Sequence, residues 1–305
     1  MVELKSRVTL ILLAFFVPGI LSLSRPFSSL KGKTALVTGS SGGLGAGIAV
    51  ALAQQGANVV VHYHTRYQGA LQTKQRILDD GGICCALVQC DFRSTTAIRD
   101  MCAKLEKEKL VPNILINKAG IVTKLASDDD DEDLSAWHET MQVNLHAPLQ
   151  LSRWMHSSSI DKSGVIVNVS SIHGSRSVEW MTAYAASKAA LDSLTRGLAL
   201  EYSSDSNIRV NGIAPGVVPV ERTMDILSQP QSQDMWKPHL PVGRMGTIED
   251  IADATIQLCT NEWMTGTILT IDGGMMSRAN MPFRPRPAKP TTSSESNISS
   301  KICFE

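Results

Sequence analysis

Tyr184 and Lys188 stand four residues apart in Tyr184-Ala-Ala-Ser-Lys188, and Ser171 precedes the tyrosine by thirteen positions in Val169-Ser-Ser-Ile-His-Gly174. On a helix, four residues is close to one turn, so the phenol and the ammonium would share a face. A free tyrosine titrates near ~10 and is a poor base at neutral pH. A cation beside it favours the phenolate and lowers that value. With a serine hydroxyl to hold a substrate oxygen, the trio can move a proton on and off an alcohol. The same pair also occurs on ordinary solvated helix faces, so the reading depends on what the rest of the chain places around it.

Upstream, Thr38-Gly-Ser-Ser-Gly-Gly-Leu-Gly45 follows the apolar run 35–37 and leads into a helix-like stretch, residues 48–55. Strand, glycine turn and helix together form the context of a dinucleotide site. Gly39 permits the tight turn, while Gly43 and Gly45 let the backbone approach a pyrophosphate and let the helix pack on the strand. Free N–H groups at the helix start would meet the phosphates. Ser40, Ser41, Gly42 and Leu44 complete the turn. By itself such a cluster is equally a plain glycine-rich loop.

Together the two signals resemble the short-chain dehydrogenase/reductase family, over roughly residues 30–274. Residues 38–45 are similar to its Thr-Gly-x-x-x-Gly-x-Gly cofactor turn. Asp91, with Phe92, takes the place of its adenine-facing aspartate. Asn117-Lys-Ala119-Gly120 resembles its Asn-Asn-Ala-Gly motif, and Asn144 its active-site asparagine. Ser171, Tyr184 and Lys188 match its catalytic residues. Pro215, Gly216 and Val218 match its segment beside the nicotinamide, and Asp272-Gly-Gly274 its closing strand motif.

The resemblance implies an enzyme that interconverts a carbonyl and a secondary alcohol by hydride exchange with a nicotinamide. In that scheme Ser171 holds the substrate oxygen and Tyr184 moves its proton. Lys188 favours the phenolate and holds the nicotinamide ribose, and Asn144 positions a water connecting the lysine to solvent. Ser170 competes with Ser171, but strand alternation and the family spacing favour Ser171. The resemblance also implies a homotetramer or homodimer built through the helix of Tyr184 and Lys188. Substrates of relatives with this appearance are 3-oxoacyl thioesters, sugars and alcohols. A reading of another class, a non-catalytic NADP(H)-sensing protein, is disfavoured by the intact Tyr184 and Lys188. Two departures stand out: Lys118 replaces the second asparagine of its motif, and the stretch Val217-Val-Pro-Val-Glu-Arg-Thr223 lacks the usual threonine directly after Pro-Gly.

The elements that must position these residues follow from hydrophobic patterning. Apolar runs at residues 35–37, 59–61, 83–88, 114–116, 165–169, 208–213 and 268–271 alternate with helical stretches. That alternation predicts an α/β fold: one doubly wound Rossmann domain with a seven-stranded parallel sheet covered on both faces. The motifs fall at or just after the ends of these runs, so they converge on one edge of the sheet, where ligands of such folds bind.

Cofactor choice turns on the end of the second run, Tyr63-His-Thr-Arg66. NAD-binding relatives carry an acid there for the ribose 2′-hydroxyl. None is present, and His64, Thr65 and Arg66 can receive a 2′-phosphate. NADP(H) is therefore favoured over NAD(H), although Gly42 stands where many NADP-binding relatives have arginine. Residues 221–244 are expected to cover the substrate, with Trp180, Met181, Met224 and Trp236 as an apolar wall.

The 305 residues carry 29 basic and 29 acidic side chains, and this zero net charge gives no electrostatic case for nucleic acid. The seven histidines have no metal-ligand spacing, and the six cysteines form no Cys-x-x-Cys pair, so they read as buried thiols and no metal site is expected. The acidic run 128–133 reads as a solvated loop leading into a helix. Residues 1–29 form a separate segment: an apolar run, 8–23, too short for a membrane span of ~20 residues, follows Lys5 and Arg7. It reads as a secretory signal, with plastid or endoplasmic reticulum as destinations and no span remaining after cleavage. Residues 30–280 form the globular domain. Residues 281–305, rich in proline and serine, read as a disordered tail.

Overall fold

The computed structural model describes residues 29–123 and 134–277. The signal-like segment up to residue 28, the acidic run 128–133, Cys303 and the C-terminal tail lie outside the described residues. In chain order the elements are β1 (Thr34–Val37), α1 (Gly43–Gln54), β2 (Asn58–Tyr63), α2 (Tyr67–Asp79), β3 (Ile83–Gln89), α3 (Thr95–Lys107) and β4 (Ile114–Asn117). Then follow α4 (Ser135–Met141), a π-helical turn (Gln142–His146), α5 (Ala147–Ser158), β5 (Ser163–Val169), α6 (Thr182–Tyr202) and β6 (Asn207–Pro215). The last are α7 (Glu221–Leu227), α8 (Pro230–Trp236), α9 (Ile248–Thr260) and β7 (Ile268–Ile271).

The strands form one parallel sheet in the order β3-β2-β1-β4-β5-β6-β7. Its inner strands are mainly apolar because both faces are covered, and the polar side chains within them, among them Asn117, Asn168 and Asn211, are buried. Alternate residues divide between two cores. Ala35, Val37, Val59, Val61, Ile114 and Ile116 pack beneath α1, α2 and α9. Leu36, Val60, Leu115 and Ile166 pack on the other face beneath α3, α5 and α6. Strand order reverses between β1 and β4, and at this switch point a crevice opens beyond the carboxyl ends of the strands.

Helix α1 begins at Gly43, five residues before the apolar stretch that announced it. Glycines occupy its first two turns because neighbours come too close for a side chain. A Cβ on Gly45 would lie 2.3 Å from the Gly39 carbonyl oxygen, and one on Gly47 would lie 2.0 Å from Ile248 Cγ2 on α9. The five described cysteines are free thiols. Burial pushes Cys90, Cys102 and Cys259 up to about 12. Cys85 departs from the buried reading, since it lies exposed on the sheet-edge strand β3. Among the described residues no group of acids, histidines and cysteines could hold a metal, and no helix is long and apolar enough to cross a membrane.

Candidate active site

A cleft of about 350 Å³ brings together Ser171, Tyr184, Lys188, Leu44, Gly120, Pro215, Gly216 and Val218, residues contributed by five separate segments. Ser171 follows β5 and caps a short turn, its Oγ accepting from the His173 N–H at 3.2 Å. Ser170 is turned to the scaffold, where its hydroxyl donates to the Lys188 carbonyl at 3.4 Å. Tyr184 and Lys188 lie one turn apart on α6, with the Lys188 Nζ 5.6 Å from the phenol ring centre. The ammonium donates to the Val169 carbonyl at 2.8 Å. Burial, with repulsion from Lys118 outweighing attraction to Asp192, lowers Lys188 to about 8. The His173 ring meets Tyr184 edge-on at 6.1 Å.

Asn144 occupies the π-helical turn, an irregularity frequent at functional sites. The wider turn carries its fully buried amide under the loop after β4. There Oδ1 accepts from the Ile121 N–H at 2.8 Å, while Nδ2 donates to the Ile121 carbonyl at 2.9 Å and to Ser187 Oγ at 3.0 Å. Asn144 therefore pins Ile121 beside Gly120, where a Cβ would stand 3.2 Å from the amide oxygen.

A second cleft of about 260 Å³ adjoins the first and shares Lys118 and Gly120 with it. Gly39, Ser41, His64, Thr65, Arg66, Asp91, Phe92 and Ala119 line it, all expected from the sequence, together with His62 and Arg93. The glycine turn fits a dinucleotide pyrophosphate. Gly39 takes φ 63° and Gly43 φ 53°, and α1 starts from Gly42 with no side-chain cap and no acid in its first turn. The backbone N–H groups there stay available to an anion.

Two expected contacts face inward instead. Ser40 Oγ donates to the Val37 carbonyl at 2.7 Å and accepts from the His62 N–H at 3.1 Å, which ties the turn to β2. Asn117 is buried and donates to Asn168 Oδ1 at 2.8 Å; Asn168 in turn donates to Thr195 Oγ1. Both side chains serve as scaffold at strand ends, where the pleat turns alternate residues away from the crevice.

His62 supports the turn from below and was not read as functional. Its Nδ1 accepts from the Gly39 N–H at 2.9 Å and its Nε2 faces the Cys90 carbonyl at 3.1 Å, an arrangement that requires the neutral ring. Phe92 stacks on it at 4.3 Å, and burial lowers His62 to about 4. A histidine within a strand gives no motif, and its only signal is its place directly across from the glycine turn. Arg93 was also missed. It holds Asp91 through Nε at 3.0 Å and Nη2 at 2.9 Å, and keeps that carboxyl below its ordinary range. Lys118 reaches back to the Gly39 carbonyl at 3.4 Å, which places a cation between the two clefts.

The cover over the catalytic cleft differs from expectation. Of the four residues expected as an apolar wall only Met181 lines the cleft, with Val122, Val218, Val220 and Leu227. Trp180, at φ 66°, turns outward with 60 % of its surface exposed, and Met224 lies behind α7 beside Leu240 and Met245. Thr223 reaches the cleft, and its hydroxyl closes the first turn of α7 on Val220. A larger cleft of about 500 Å³ opens at the opposite edge of the sheet, away from every motif. Its Arg209 is held by the carbonyls of Leu258, Cys259 and Met264 and serves the scaffold.

Comparison with known proteins shows the family. The family profile described as enoyl-(acyl carrier protein) reductase matches residues 39–276. The chain is 36% identical over 255 residues to 3beta-hydroxysteroid dehydrogenase 1 of Eggerthella lenta, spanning 82% of this chain and 95% of that one. It is 32% identical over 252 residues to a 3-oxoacyl-[acyl-carrier-protein] reductase of Chlamydia muridarum, spanning 81% and 99%. The solved gluconate 5-dehydrogenase of Burkholderia cenocepacia, in complex with NADP and tartrate, superposes with a TM-score of 0.73 at 28% identity, covering 82% of this chain and 97% of that one. The chain therefore belongs to the short-chain dehydrogenase/reductase family and is an oxidoreductase acting on alcohol and carbonyl groups.

Proposed function

We propose that the protein interconverts a carbonyl and a secondary alcohol with NADP(H), using Ser171, Tyr184 and Lys188 as a proton relay. The observation that carries this reading is the single cleft lined by all three relay residues together with Leu44 of the glycine turn and Pro215-Gly216. Bound NADP(H) would supply or accept the hydride. Ser171 accepts a hydrogen bond from its own turn and keeps its proton for a substrate oxygen. Tyr184 gives a proton to that oxygen in reduction and takes it back in oxidation. Lys188, at about 8, is mostly cationic at neutral pH, so it favours the phenolate beside it. Asn144 acts here by positioning, since its amide holds Ile121, next to Gly120 of the cleft, and Ser187, next to Lys188.

NADP(H) is favoured because no acid follows β2, and Arg66, His64 and Arg93 gather at that end of the second cleft. The Burkholderia relative is described with NADP bound. For substrate, the apolar wall of Val122, Met181, Val218 and Leu227 favours a 3-oxoacyl thioester over a sugar acid. Assembly as a homodimer or homotetramer through α6, and entry into the secretory pathway, complete the proposal.

The test is NADPH and NADH oxidation against acetoacetyl thioester, steroid ketones and keto-sugars, with Tyr184→Phe as control. The mutant should lose about 10²–10⁴-fold in turnover while binding cofactor normally. Unchanged turnover in the mutant refutes the relay. Silence with the thioester and activity on sugars refutes the substrate class.

A further inference from the structure

Arg66 and Glu221 meet directly over the glycine turn. A Cβ on Gly42 would stand 2.9 Å from Arg66 Nη1 and 2.9 Å from Glu221 Oε2. Arg66 Nη2 donates to that same carboxylate oxygen. Arg66 caps α2 just beyond β2, and Glu221 is the first residue of α7. The pair therefore joins the loop facing a cofactor's adenine ribose to the segment covering the catalytic cleft. Both side chains are more than half exposed, at 59% and 56%. An ion pair so placed is weak in water and readily exchanged. The neighbouring cations are held differently: Arg93 is engaged by Asp91 and Glu139, and His64 faces Asp91.

We propose that Glu221 is a specificity-determining residue for the cofactor, an internal stand-in for the 2′-phosphate. It occupies Arg66 when no phosphate is present and yields it when NADP(H) binds. The inference rests on the NADP(H) reading above. A phosphate group presents more charge and more acceptor oxygens to a guanidinium than a carboxylate does, so the exchange runs towards the cofactor. NADP(H) must displace the carboxylate, and its affinity is held below what Arg66 alone would give. NAD(H) brings no group to this point and leaves the pair intact. Glu221 thus narrows the discrimination between the two cofactors, and Gly42 leaves open the space that the pair occupies.

The test is titration of NADPH and NADH, followed by calorimetry, into the full chain as wild type, Glu221→Gln, Arg66→Met and the double variant, with melting temperatures as a check on folding. Glu221→Gln should tighten NADPH by about three- to fivefold and leave NADH within about twofold. Arg66→Met should weaken NADPH, and adding Glu221→Gln to it should leave the NADPH-to-NADH ratio unchanged, because the effect runs through the arginine. An equal gain for both cofactors, a gain that persists without Arg66, or a loss of NADPH affinity in Glu221→Gln overturns the proposal. Wild-type protein that binds NADH but not NADPH overturns the cofactor reading itself and this inference with it. Wild-type preference for NADPH with no response to Glu221→Gln overturns this inference alone.

Discussion

The floor of the glycine turn and the cover over the catalytic cleft are built on opposite principles. In the floor, α1 buries eight of its twelve residues and meets the turn after β1 and α9 at distances only glycine allows. In the cover, Thr223 and Leu227 of α7 reach the cleft, while α8 beyond them buries none of its residues and Met224, Ile226 and Met235 are exposed. The floor is specified by backbone approach, so single atoms decide it. The cover is specified by surface contacts such as Arg66 with Glu221, which trade easily for a ligand's own groups. A dinucleotide common to many reactions calls for the first kind of construction, and a variable substrate tolerates the second.

The sharpest way to break this comparison is Gly45→Ala. Its Cβ would meet the Gly39 carbonyl at 2.3 Å, and a backbone atom at a strand end has little room to yield. Stability should fall by about 1–3 kcal/mol, and dinucleotide binding should be lost, as read by urea unfolding and cofactor titration. Full binding by the alanine variant would remove the distinction between floor and cover.

A smaller effect should come from His62. Its folded value of about 4 lies below the ordinary ~6.5, so the unfolded chain takes up the proton first as pH falls. This contribution is complete above about pH 6.5 and is lost progressively towards pH 4. At pH 5 the loss amounts to about 2 kcal/mol. Urea melts at pH 7.5 and pH 5 should show this loss in the wild type and not in His62→Gln. Equal pH dependence in the two proteins would mean that the floor does not rely on a neutral ring.

The smallest effect should appear at Lys118, on the seam between the two regions. Its cation lowers Lys188, so Lys118→Asn should move the ionisation governing kcat/KM upward by up to about one pH unit. Cofactor affinity measured in parallel separates this from a loss of binding. An unmoved pH profile would confine Lys118 to holding the Gly39 carbonyl.

The sheet was legible because each strand contains an apolar run, and the gathering of Ser171, Tyr184 and Lys188 in one cleft because residue type and helical spacing point to it. The start of α1 was not legible, since glycines demanded by close packing conceal a helix from any reading based on propensity. The role of His62 escaped because it depends on two partners, Gly39 and Cys90, that are distant in sequence. The inward turn of Ser40 and Asn117 escaped because a motif fixes position along the chain, while the pleat decides which side a residue faces. Trp180 and Met224 were misplaced in the cover for a related reason: apolar character near a cleft does not determine which wall a side chain joins.

Thr38 has a consequence for the order in which the chain can mature during synthesis. Its N–H and hydroxyl both donate to the Ile116 carbonyl, and its oxygen accepts from the N–H groups of Lys118 and Ala119. The glycine turn emerges from the ribosome about eighty residues before those partners exist. At roughly 5–20 residues per second, it waits several seconds without the bonds that seat it. Through that interval the turn has its bonds to His62 on β2, and its seat is complete only when β4 and its following turn arrive.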